Sequence, residues 1–96
     1  MVIVAGHLVV DASDRERQLA ALVPLLEQAR VAPGCLDYSM SADLLDPARI
    51  DILERWESRA ALEAFRGSGT SEDQDAAIVS ACVAEYDVAD VRQLAG

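Results

Sequence analysis

Two residues of this sequence have side chains suited to moving a proton, His7 and Glu54. His7 is the only histidine, lies in an apolar segment and ionises near neutral pH, so it can accept the proton of a phenol or quinol. Glu54 lies two residues before Trp56 in an alternating segment, where burial would raise its pKa and suit it to proton transfer. Each of these two residues could instead have a structural role without any part in catalysis. His7 can be a hydrogen-bonded core or interface residue. Glu54 can be a buried carboxylate paired with Arg66 or Arg30.

Aromatic side chains could form the wall of a pocket for a flat ligand. Trp56 could stack on an aromatic substrate, although a single tryptophan in a small core can equally serve packing alone. Tyr38 and Tyr86 could donate hydrogen bonds to a substrate oxygen or could be ordinary half-buried tyrosines. We therefore predict one pocket within each chain, with His7, Glu54 and Trp56 as catalytic residues and Tyr38, Ile52, Phe65 and Tyr86 as substrate-binding residues.

Composition excludes several kinds of partner. The formal charge is −9, with eight arginines and no lysine, so most of the surface would repel a nucleic acid. Cys35, Cys82 and a single histidine are too few soft ligands for a zinc or iron site, and no glycine-rich loop is present to cradle a phosphate. We expect no metal and no cofactor. We also expect reduced thiols, no membrane span and a cytoplasmic location.

The elements that position these side chains follow from hydrophobic periodicity. The predicted order is β-α-β-β-α-α-β, with strands at 2–10, 35–42, 50–57 and 85–91 and helices at 14–31, 58–65 and 71–84. We expect Pro24 to kink or break the first helix, because proline removes a backbone hydrogen bond. Asp46 and Pro47 mark the turn of a hairpin, and Ser58 is the predicted N-cap of the second helix.

This order predicts a single α+β domain over residues 1–96, with a ferredoxin-like fold and a four-stranded antiparallel sheet. The first strand is apolar on both faces. Ile3, Ala5 and Val9 lie on one face, whereas the other carries Val2, Val4, Leu8 and Val10. Helices can cover only one of these faces. We therefore predict a homodimer in which the two sheets pack face to face.

Three segments resemble the antibiotic biosynthesis monooxygenase family of dimeric α/β barrels: PGCLDY at 33–38, DPAR at 46–49 and LERWESRAAL at 53–62. The resemblance implies a cofactor-independent monooxygenase of small aromatic substrates, such as quinols or polyketide phenols, that activates dioxygen through the substrate anion. Trp56 matches the pocket tryptophan of the family. Where cofactor-free members have an asparagine this chain has Ile52, and where quinol-oxidising members have a histidine it has Phe65.

Two other functions of the same fold stay open. One is a non-catalytic small-molecule binding or stress-related barrel protein, which the Ile52 and Phe65 departures favour. The other is an isomerase or lyase in which His7 or Glu54 moves a proton without oxygen.

Overall fold

The computed structural model describes residues 1–67 and 78–96 and shows the predicted α+β ferredoxin-like arrangement. In chain order the elements are β1 (Val2–Val9), a 3-10 turn (Ala12–Asp14), α1 (Arg15–Arg30), β2 (Cys35–Ala42), β3 (Arg49–Trp56), α2 (Arg59–Gly67) and β4 (Ser80–Asp87). The four strands form one antiparallel sheet in the order β2-β3-β1-β4. β1 is therefore a central strand that pairs along its whole length on both sides.

The β2–β3 hairpin forms as predicted, and aspartates close its turn. The side chain of Asp43 accepts hydrogen bonds from the backbone N–H groups of Leu45 (3.0 Å) and Asp46 (2.8 Å). Arg15, at the start of α1, donates to the backbone oxygens of Asp46 at 2.7 Å and Asp43 at 3.2 Å. The first turn of the helix is thereby tied to the tip of the hairpin.

The two helices begin and end close to their predicted limits. α1 continues through Pro24, so the helix does not break there. Ser58 caps α2 as predicted, because its Oγ accepts a hydrogen bond from the Ala61 N–H at 3.1 Å. Leu62 of α2 and Ala29 of α1 are buried against the sheet.

The C-terminal part of the chain differs from the prediction. Residues 80–84, predicted as the end of a helix, belong to β4, and this strand starts at Ser80 rather than at Glu85. Alanines favour a helix in isolation, but pairing with β1 from Ser80 opposite Val9 to Asp87 opposite Val2 outweighs that preference. The predicted helical positions 71–77 lie outside the described residues.

Strand register determines which side chains face the helices. Val2 lies opposite Trp56 and Val4 opposite Glu54, and residues directly opposite each other share a face. The face with Val2 and Val4 packs against α1 and α2, and its core cluster consists of Val2, Val4, Ala29, Tyr38, Trp56 and Leu62. The opposite face, called the open face below, carries Ile3, Ala5, His7, Val9, Asp51, Leu53, Arg55, Cys82, Ala84 and Tyr86. In the described part of one chain, Leu53 and Tyr86 of the open face stay exposed.

A glycine allows β1 and β4 to approach closely at their centre. Gly6 has a φ of +155°, and a Cβ built on it would lie 2.0 Å from the carbonyl oxygen of Cys82 and 2.7 Å from the Cα of Val83. Both obstructing atoms belong to the backbone of β4, which cannot rotate away as a side chain can. Any side chain at this position must therefore push the two strands apart.

We predict that Gly6→Ala lowers the free energy of unfolding by about 3 kcal/mol or more, because overpacking against backbone cannot relax through rotamers. Gly67→Ala is the matched control. It ends α2 with nothing within 4 Å of a built Cβ, so it should be neutral or stabilising by up to about 1 kcal/mol. Urea unfolding of both variants measures the difference, and equal midpoints would show that the close approach at Gly6 is not required.

Candidate functional site

Three aromatic rings meet on the helix side of the sheet. The centroid of Trp56 lies 5.4 Å from that of Phe65 and 6.4 Å from that of Tyr38. Tyr38 and Phe65 are 5.9 Å apart and meet edge to face. These distances and angles are typical of favourable aromatic packing. We call these three residues the aromatic cluster.

A carboxylate lies beside the aromatic cluster. Glu54 is only 5% exposed, and its Oε1 accepts a hydrogen bond from the Trp56 indole Nε1–H at 3.0 Å. A guanidinium nitrogen of Arg66 lies 3.9 Å from Oε2. Burial raises the pKa of Glu54, and the Trp56 hydrogen bond and the Arg66 charge only partly offset that increase. Glu54 is thus a better proton acceptor than an exposed glutamate.

Tyr38 places a phenol near this carboxylate. Burial and, to a lesser degree, the negative charge of Glu54 raise the pKa of Tyr38 far above its usual value, so the phenol stays protonated and can donate a hydrogen bond. Arg30 of α1 donates through its Nε to the backbone oxygen of Tyr38 at 2.8 Å. This bond holds β2 against the helix at the position of the aromatic cluster.

The structure brings together five of the seven residues predicted for the site. Ile52, Glu54 and Trp56 share the helix side of β3, and Tyr38 lies opposite Glu54 on β2. Phe65 completes the group from α2. Ile52 is buried and contributes only a hydrocarbon surface.

The other two predicted residues, His7 and Tyr86, lie on the open face. His7 is opposite Asp51 on one side and Cys82 on the other, and Tyr86 is opposite Ile3. The prediction that His7 and Trp56 line one pocket within a protomer was wrong. The physical reason is that β1 is apolar on both faces, so its periodicity did not reveal which face meets the helices.

Sequence reasoning considered Arg66 only as an ion-pair partner, yet its placement makes it part of the site. Leu62, Phe65 and Arg66 are spaced i, i+3 and i+4 on α2, so they share one face of the helix. Leu62 is buried and Phe65 joins the aromatic cluster. The same spacing could have placed Arg66 near the sheet from the sequence alone.

An apolar surface groove adjoins the aromatic cluster. It has a volume of about 560 Å³ and is lined by Ala32, Pro33, Gly34, Glu57, Ala60, Ala61, Ala64 and Phe65. Phe65 therefore contacts the groove on one side and Trp56 and Tyr38 on the other. Phe65 thus forms the boundary between the groove and the aromatic cluster.

Two further observations concern the described residues only. Among residues 1–67 and 78–96, no three or more histidine, cysteine, aspartate or glutamate side chains converge in a way that could hold a metal ion. Neither described helix is long and apolar enough to cross a membrane.

Comparison with solved structures identifies the same fold elsewhere. A structure from Deinococcus radiodurans, assigned to the antibiotic biosynthesis monooxygenases, matches with a TM-score of 0.80 at 23% identity and covers 100% of both chains. Another with that assignment, from Nitrosomonas europaea, matches with a TM-score of 0.81 at 18% identity over 94% of this chain and 100% of that one. At these identities the likeness shows the fold alone.

Sequence comparison is more specific. An uncharacterized protein of Synechocystis is 32% identical over 62 residues, which are 65% of this chain, and the chain spans 42% of the length of that curated relative. The family model for antibiotic biosynthesis monooxygenases matches residues 1–77. Because that match extends from β1 through α2, over most of the 96 residues, this chain belongs to the antibiotic biosynthesis monooxygenase family.

Proposed function

We propose that this protein is a monooxygenase that oxidises a small hydroxylated aromatic molecule, such as a quinol or a polyketide phenol, without a cofactor. The observation that carries the proposal is the buried Glu54 carboxylate, hydrogen-bonded to Trp56 beside the aromatic cluster. Membership of the family supports the reaction type. The substrate class is the one that the resemblance to this family implies, and the aromatic side chains beside a proton acceptor and a phenol donor support it.

The first step of the proposed reaction is removal of a proton. Glu54 accepts the proton of the substrate hydroxyl, and its raised pKa reduces the free-energy gap between the two acids. The substrate ring lies in the groove against Phe65, which Trp56 supports from behind, while Tyr38 donates a hydrogen bond to a substrate oxygen. The product of the step is an electron-rich aromatic anion in a largely apolar environment.

The second step is reaction of that anion with dioxygen. The substrate supplies all the electrons: one oxygen atom becomes a new carbonyl on the ring, and the other leaves as water with the single hydrogen of the reacting ring carbon and the hydroxyl proton that Glu54 accepted. An aromatic C–H group, the C–OH group and O₂ thus become two C=O groups and H₂O. The balance requires no external reductant. The role of the protein is to generate the anion and to hold the reacting carbon away from bulk water.

A proton-transfer isomerase is the second candidate, and Ile52 is the observation that favours it. Ile52 offers no hydrogen-bonding group beside Glu54, so this position adds nothing to the binding of an oxygen-derived intermediate, whereas Glu54 can still move a proton. The two reactions differ in one measurable property, which is consumption of dioxygen.

We also propose that two copies of the chain pack their open faces against each other. Ile3, Ala5 and Val9 of β1 give this face an apolar centre, and Leu53 and Tyr86 extend it across the sheet. Contiguous apolar surface of this kind is typical of an interface. In such a dimer His7 lies between the two sheets rather than in the helix-side pocket.

The first prediction concerns turnover. Oxygen uptake with a panel of quinols and anthrones should be detectable with the wild-type protein, and Glu54→Gln should reduce the rate about a hundredfold or more, because a positioned base is lost. Glu63→Gln, an exposed position on α2, is the matched control and should keep the wild-type rate. Proton exchange without oxygen uptake would replace this proposal by the isomerase.

The second prediction concerns pH. Only the carboxylate form of Glu54 accepts a proton, so turnover should rise with pH through the raised pKa of Glu54, above the range of an ordinary glutamate. Tyr38 and Cys35 on β2 and the guanidinium of Arg66 on α2 also face this region, and burial raises the pKa of Tyr38 and of Cys35.

The same shift gives a stability test with a defined sign. Because the folded state holds the Glu54 proton more tightly than the unfolded state, the free energy of unfolding should fall as pH rises from the ordinary glutamate pKa through the raised one. Glu54→Gln should abolish both this fall and the acidic limb of the rate profile. A wild-type rate profile with an ordinary glutamate midpoint would exclude Glu54 as the base.

The third prediction tests the dimer by thiol labelling. Cys82 lies on the open face, whereas Cys35 lies opposite Trp56 on the helix side. Light scattering at micromolar concentration should give twice the chain mass, and Leu53→Glu should give a monomer in which Cys82 reacts with a thiol reagent at least about tenfold faster. Cys35 is the internal control and should react equally in both proteins. A folded wild-type monomer at that concentration would overturn the dimer.

A further inference from the structure

The apolar groove beside the aromatic cluster has one charged side chain in its described wall, that of Glu57. The other described residues that line the groove are alanines, a proline, a glycine and Phe65, none of which has a polar side chain. Glu57 is exposed and Phe65 is half-buried, so a ligand can reach both without displacing the buried core. A charged group of a ligand in this groove would therefore meet a carboxylate.

The backbone fixes Glu57 at the junction of α2 and the turn before β2. Its N–H donates a hydrogen bond to the carbonyl oxygen of Gly34 at 2.8 Å. Gly34 has a φ of +82°, and a Cβ built on it would lie 2.6 Å from the Ala61 Cβ and 3.7 Å from the Glu57 Oε2. The turn and the helix thus approach closely here, and the carboxylate lies against the wall that they form.

The arginines of α2 pair with other carboxylates. Arg59 donates to Glu85 at 2.7 Å, and Arg66 lies 3.9 Å from Glu54. In the part of the chain that the structure describes, Glu57 forms no ion pair. The chain also has a net charge of −9, and a field of this sign attracts cations. A cationic group on a ligand would therefore give Glu57 the partner that the described residues do not supply.

The helix sets the length of the groove. Ala60, Ala64 and Phe65 of α2 line it, and Glu57 precedes the helix by two residues. With a rise of about 1.5 Å per residue, Phe65 lies roughly 7 Å along the helix axis from Ala60. A single aromatic ring against Phe65 therefore fills only part of the groove, and a short side chain on that ring would extend toward Glu57.

We propose that the groove binds an aromatic molecule that carries a protonated amine, with the ring against Phe65 and the ammonium group against the Glu57 carboxylate. The inference deepens the proposed function and rests on it for the position of the ring, since it names a second group that the ligand carries. An aliphatic amine is protonated at neutral pH, as the side chain of lysine is. A molecule of the same shape without a charge gains only apolar contact, and one with a carboxylate is repelled.

The test measures the binding of three phenols that differ in one substituent. Tyramine carries an ethylammonium group, 4-ethylphenol carries an ethyl group, and 3-(4-hydroxyphenyl)propanoate carries a carboxylate. NMR titration of the isotope-labelled protein gives each dissociation constant, and shifts of the Ala60, Ala61 and Ala64 amide signals show that the probe lies in the groove. The wild type should bind tyramine about twofold to fivefold more tightly than 4-ethylphenol, which is the usual effect of an ion pair exposed to water. It should bind the propanoate more weakly than 4-ethylphenol.

Glu57→Gln should remove both differences and leave the affinity for 4-ethylphenol unchanged, because only the charge in the groove is lost. Glu57→Arg should reverse the order, so that the propanoate binds more tightly than tyramine. Glu63→Gln is the matched control, since it removes one carboxylate from α2 outside the groove and should keep the wild-type order. Added salt should reduce the preference of the wild type for tyramine.

The outcomes separate this inference from the proposed function. Equal affinities of the wild type for tyramine and 4-ethylphenol, a preference for tyramine that survives in Glu57→Gln, or no shift of the groove signals with any probe would each overturn the role of Glu57. If the wild type still consumes oxygen with quinols in those cases, the monooxygenase proposal stands alone. If oxygen uptake is absent but the preference for tyramine depends on Glu57, the groove is a binding site for aromatic amines without monooxygenase activity.

Discussion

The fold depends on the pairing of β1 with β3 on one side and with β4 on the other. This register places Val2 and Val4 beside Trp56 and Glu54, so the central strand supplies the apolar surface on which the site is built. Gly6 permits the approach of β4 at the midpoint of the same strand. Because a shift of one residue would exchange the two faces of a strand, the pairing also decides which titratable groups can meet the helices.

Glu54 is the residue of this sheet whose burial lowers the stability of the fold. A buried carboxylate loses its hydration, and a glutamine or leucine could occupy the same volume with less penalty. The Trp56 N–H and the nearby Arg66 compensate only in part, since the pKa of Glu54 stays raised. This unfavourable burial beside three aromatic rings is the observation behind the proposal that Glu54 transfers protons. The Arg66 side chain is half exposed, so the group nearest to this carboxylate on α2 lies at the surface.

Several features of the site could be predicted from the sequence because a single physical signal determined them. Strict alternation in β3 placed Ile52, Glu54 and Trp56 on one face, and the turn residues identified the hairpin. The face of His7 could not be predicted, because both faces of β1 are apolar and only the register with β3 distinguishes them. The start of β4 was missed for a related reason: its alanines favour a helix locally, and the strand exists through long-range pairing with β1.

The central claim is that Glu54 is a buried proton acceptor coupled to Trp56, and NMR titration tests it directly. The side-chain carboxyl carbon of Glu54 and the single indole N–H signal should titrate together, since the two groups share a hydrogen bond of 3.0 Å. We predict a common midpoint above the ordinary glutamate value of 4.5. A Glu54 midpoint at or below that value, or an indole signal that does not change with pH, would contradict the account.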